Sequence, residues 1–80
     1  MELIKMVTLE EFEVLEQCKL NKWEISSIKE HMEYTIDVIN RGLNEGRDFY
    51  LDGFIHAYWS ELSGMKSVCA VIGLSVKTQY

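Results

Sequence analysis

Proline is absent from the 80 residues, so no ring blocks a helix anywhere and element boundaries must be read from caps and glycines. Cysteine is scarce. Cys18 and Cys69 make up the whole complement, and with no charged, apolar and small-residue regions of a signal peptide at the N-terminus, two reduced, buried thiols are expected rather than a disulfide. No run of eighteen apolar residues exists, which removes a membrane-spanning helix, and membrane partners are not expected. The expected compartment is the cytoplasm. Arginine is limited to Arg41 and Arg47, and thirteen Asp and Glu outnumber eight Lys and Arg for a net charge of −5. A chain of that sign is repelled by nucleic-acid phosphate, whose binding depends on a basic patch that releases counterions, so direct DNA or RNA binding is disfavoured.

What is present suits one folded domain. Apolar residues make up 48% of the chain and aromatics 11%, too much for a disordered acidic tail. Eighty residues leave no room for a second core. The acids crowd the first forty positions, with Glu10, Glu11, Glu13, Glu16, Glu24, Glu30 and Glu33 among them, whereas the last nineteen hold Lys66, Lys77 and no acid.

The caps and periodicities predict an all-α chain, a small bundle of three helices preceded by an arm or short strand over residues 1–7. Thr8-Leu9-Glu10-Glu11 has the form of a capping box, with Val7 and Phe12 at the staple positions, and predicts a first helix over 9–19 that buries Leu9, Phe12, Leu15 and Cys18. Asn21-Lys22-Trp23-Glu24 repeats that grammar and opens a second helix over 22–41; Ser27 with Glu30 is a rival cap. Its stripe of Ile25, Ile28, Met32, Ile36 and Ile39 is amphipathic. Gly42 fits a left-handed stop there, a helix running on through Gly42 and Gly46 being the alternative. The third helix is predicted over 48–73. Leu51, Ile55, Tyr58, Leu62, Met65, Cys69, Ile72 and Val76 alternate spacings of four and three, the stripe of a helix facing a core. Ser63-Gly64 marks a kink or a break that would make four helices, and residues 74–80 are left as a tail. The second and third helices form an antiparallel hairpin.

On the other side of the third helix, Gly53, Ala57, Ser60, Gly64, Ser67 and Val71 fall together at 100° per residue. An outward face normally carries Lys and Glu. A small, uncharged one implies that another helix backbone comes close, and a chain with two partner helices cannot cover both sides of so long a helix, so a homodimer with this face as its interface is expected.

Catalytic chemistry has little to build on. His31 lies in Glu30-His31-Met32-Glu33, where a solvated imidazole is expected; His56 borders Trp59 and Ser60 and could bond across an interface. The positions three residues before each histidine are Ile28 and Gly53, so the Glu-x-x-His of a di-metal bundle is missing, as are CxxC and HExxH. Gly42 to Arg47 lacks the Lys-Ser/Thr of a phosphate loop. No cofactor, metal or catalytic residue is expected. Exposed Trp23, Phe49 and Tyr50 are candidates for contact with a partner protein. The function expected is that of a non-enzymatic protein-interaction or regulatory protein, working as a homo-oligomer. The alternative is an acidic inhibitor of the kind carried by phages, whose Glu30, Glu33 and Asp37 occupy the basic nucleic-acid groove of an enzyme.

Overall fold

The computed structural model describes residues 7–48 and 51–79. It holds a strand β1 (Thr8–Val14), a helix α1 (Lys22–Asn44), a helix α2 (Gly53–Ile72) and a strand β2 (Leu74–Gln79). The strands pair antiparallel as a two-stranded sheet laid across the α1–α2 hairpin, β2 along α2 and β1 toward α1. This is an α+β arrangement, and it overturns the expected all-α bundle of three or four helices.

The first correction falls on the segment read as a helix over 9–19. Thr8 to Val14 is a strand, and its register explains the misreading. Leu9 stands opposite Thr78 and Glu11 opposite Lys77, so Glu10 is an extra residue, a β-bulge. The bulge puts Leu9 and Phe12, three positions apart, on the same face, together with Val14, because their partners Thr78, Val76 and Leu74 are two apart. A spacing of three on one face imitates a helix. The second correction is its counterpart, since residues 74–79 are the partner strand and not a tail. Cross-strand Lys77 and Glu11 pair at 3.4 Å. A lone two-stranded ribbon is marginal in water and needs a helix to pack on; here Leu74 and Val7 are 1% exposed against the helices.

Both helices begin on side-chain caps. Asn21 accepts from the Glu24 N–H at 2.9 Å while Glu24 accepts from the Asn21 N–H at 3.0 Å, a full capping box. The stop comes later than Gly42. Gly42 is a buried helical residue pressed against Ile55 of α2, where an added Cβ would lie 2.6 Å from Ile55 Cδ1. The left-handed residue is Gly46 (φ 92°), and the Arg47 N–H to Gly42 carbonyl and Gly46 N–H to Leu43 carbonyl bonds close a Schellman motif around it. Arg47 then fastens the connection, with two bonds to the Asp52 carboxylate (3.0 and 3.2 Å) and its guanidinium 4.6 Å over the Phe54 ring. α2 starts at Gly53, five residues after the expected boundary, and runs unbroken through Ser63 and Gly64 to Ile72. Gly73 (φ 94°) ends it and turns the chain straight into β2.

Asp52 caps α2 by accepting from the Phe54 and Ile55 N–H groups. Burial works to raise its pKa, but those N–H bonds and Arg47 outweigh it and hold the carboxyl below the ordinary aspartate range. A depressed folded-state pKa stabilises above the unfolded value of about 4 and is lost as pH falls through the folded one. The first turn of α2 is therefore expected to loosen as the pH drops below about 4, with a lower protection factor at the Ile55 amide, and Asp52→Asn is expected to flatten that pH dependence. Superposable wild-type and variant curves between pH 5 and 2 would contradict this role.

The core is one cluster of Val7, Met32, Ile36, Ile39, Leu43, Ile55, Leu62, Cys69 and Leu74, each at most 7% exposed. Burying side chains of this size is worth about 1.5–3 kcal/mol each. Buried Thr35 donates to the His31 carbonyl at 3.0 Å and so adds no unpaired polar group.

Candidate interaction surface

α2 has two unlike sides. Ile55, Leu62 and Cys69, seven residues apart, are its fully buried line, with Tyr58, Met65 and Ile72 half-buried beside them facing α1. On the sheet side Lys66 donates to Thr78 Oγ1 at 2.8 Å, with its Nζ 5.9 Å over Trp59. Leu51, which begins the expected apolar stripe, lies before the helix and is 85% exposed.

The opposite side is open. Gly53, Ala57, Ser60, Gly64, Ser67 and Val71 are all exposed in the single chain, so none of the described elements covers them. A Cβ built on Gly53 or Gly64 meets nothing within 4 Å. The charged or titratable side chains in α2 are His56, Tyr58, Glu61, Lys66 and the Cys69 thiol; Tyr58 is half-buried and Lys66 is committed to the sheet side. The outward side is thus free of charge at its centre and carries Val68 (59% exposed) and Val71 (85% exposed). α1 is different. Its outward residues include Lys22, Glu24, Lys29, Glu30, Glu33, Asp37 and Arg41, an ordinary solvated face.

Away from their connection, α1 and α2 leave an apolar groove of about 550 Å³. Ile28 and Ser27 form its α1 wall, Met65, Val68 and Ile72 its α2 wall, and Gly64 opens it toward the outer face. His31 stands at its rim, 3.0 Å from Glu61 across the two helices. Trp23, one turn before Ser27, is 84% exposed at the same end of the molecule. This groove was not singled out from the sequence, because its lining was divided there: Ile28, Met65, Cys69 and Ile72 went to the core, Gly64 to the oligomer face and His31 to solvent.

The remaining candidates are dispersed. His31 is on α1 and His56 is exposed on α2, and they share no site. Among the described residues no group of three or more His, Cys, Asp or Glu is placed to hold a metal ion, and no helix is long and apolar enough to cross a membrane. Cys18 and Cys69 are both free thiols; burial pushes the Cys69 thiol up, which disfavours the reactive thiolate. Glu30, Glu33 and Asp37 are exposed on α1, with Asp37 paired to Arg41, and Glu33 beside Lys29 and Phe12 in a shallow hollow. The Phe49–Tyr50 pair lies outside the described residues, as do positions 1–6 of the expected arm. Comparison with known protein families, curated proteins and solved structures finds no match for this chain.

Proposed function

We propose that the chain is a small non-enzymatic interaction or regulatory protein that works in the cytoplasm as a homo-oligomer, its copies meeting through the outer face of α2 and binding a further protein as an assembly. The observation behind this reading is the contrast between the two helices. α1 turns charge toward solvent, while α2 turns Gly53, Ala57, Ser60, Gly64, Ser67 and Val71 outward with Val68 beside them. A helix that keeps its solvent side small and uncharged is suited to close approach by a second backbone. The acidic-inhibitor alternative draws less support, since Asp37 already spends its charge on Arg41.

Gly64→Leu is the informative substitution. Within the chain a Cβ at Gly64 meets nothing within 4 Å, and replacing glycine in a helix interior gains up to about 1 kcal/mol. The variant is expected to fold at least as stably as the wild type yet to lose self-association, seen as a drop in mass by light scattering. An unchanged mass would count against this face as the meeting surface.

A further inference from the structure

The apolar groove between α1 and α2 lies at one end of the outer face, and a pair of exposed apolar side chains, Leu51 (85% exposed) and Phe54 (42% exposed), lies at the other. Phe54 and Val68 project from the same edge of α2, the edge that also carries Glu61, because they are fourteen residues, or about four turns, apart. In an antiparallel helix pair related by a two-fold axis, like edges lie side by side and run in opposite directions. We infer that the occupant of this groove is Phe54, with Leu51 beside it, of a second copy, the two α2 helices packing antiparallel about a two-fold axis at Leu62.

Two separate measures place that centre near Leu62. The α2 side of the groove runs from Gly64 to Ile72 and is centred on position 68, so the midpoint between it and Phe54 is position 61. The outer seam is itself symmetric about 62: Gly53 falls opposite Val71 of the partner, Ala57 opposite Ser67, and Ser60 opposite Gly64. The bulkiest seam residue thus meets one of the smallest, which keeps the two backbones evenly spaced along the contact. A parallel pair would instead set Val71 against Val71 at one end and Gly53 against Gly53 at the other. Opposed helix dipoles also favour the antiparallel arrangement. Near the axis each Glu61 is already bonded to His31 of its own α1, so two bare carboxylates are not brought together.

The area suffices. α2 spans about 30 Å at 1.5 Å per residue, and with the rim of α1 the strip is about two helix diameters wide, giving roughly 650 Å² per copy. Stable interfaces bury about 600–1,000 Å² per partner. The contact would also cover Trp23, Val68 and Val71, the exposed apolar residues at the groove end, and an apolar anchor seated in a pocket is the usual energetic centre of an interface.

This geometry rests on the self-association proposed for the outer face of α2, and cross-linking separates the two. The wild-type mass is measured first. Full-length chains carrying Gly53→Cys and Val71→Cys, each with Cys18→Ser, are then oxidised singly and as a mixture. A mixed-chain disulfide species, with little product from either chain alone, is the expected result. Self-linking of the Gly53→Cys chain would indicate parallel helices and overturn this arrangement. A dimeric wild type that yields no mixed product would likewise overturn it while leaving self-association standing, and a monomeric wild type would remove both. Phe54→Ala is expected to weaken association at least tenfold with the monomer's helical circular dichroism retained; unaltered affinity would show that the groove is filled by something else.

Discussion

Gly73→Ala is expected to destabilise the protein by about 3 kcal/mol. Two costs combine. Gly73 holds φ 94°, and an alanine pays roughly 1–2 kcal/mol for left-handed backbone. Its Cβ would also fall 2.8 Å from the Cα and N of Cys18, backbone atoms that cannot swing aside as a side chain can. Overpacking of that kind typically costs about 1–3 kcal/mol. Gly46 provides the control, since it has nearly the same φ, 92°, with nothing within 4 Å of a built Cβ. Gly46→Ala should lose the conformational part alone. Urea unfolding of both variants reads the difference, and equal losses would mean that the turn after β1 is not packed on Gly73 as described.

Asn40→Ala should cost about 2–3 kcal/mol by releasing the start of β1. The Asn40 amide accepts from the Val7 N–H at 2.7 Å and donates to the Val7 carbonyl at 2.9 Å, standing in for a neighbouring strand. Val7 is 1% exposed, so truncation leaves two backbone groups short of partners in a place water reaches poorly. Asn40→Asp can still accept but cannot donate, and an intermediate loss is expected. Asn44→Ala, which removes an exposed bond to the Asn40 carbonyl, should be close to neutral. A neutral Asn40→Ala would contradict the docking of this strand on α1.

These two sites are also where sequence and structure parted. The start of α1 was legible because a capping box is local: Asn21 and Glu24 satisfy each other whatever the rest of the chain does. The end of α1 was not. Gly42 and Gly46 both suit a stop, and what keeps Gly42 helical is tertiary, the need for a residue without Cβ where Ile55 crosses. β1 was lost to its bulge at Glu10, which gives a strand the spacing of a helix, and to partners sixty or more residues away in sequence. Gly64 carried the opposite lesson. An unbroken helix through it, with open space where a side chain would be, shows that the glycine is not a hinge within the monomer.

The outer face of α2 could be read from periodicity alone, because a helix places every third or fourth residue together regardless of its neighbours. The groove could not, since it is lined by residues from both helices, Ile28 of α1 and Met65 of α2 among them, which only the tertiary fold brings together. Among the described residues α2 is covered on one side, by α1 and the sheet, and the side expected to meet a partner is bare.

The most direct test is the molar mass of the unmodified chain by sedimentation equilibrium across the micromolar range. A species of twice 9.4 kDa that dissociates on dilution is expected. A constant 9.4 kDa at every concentration would contradict it.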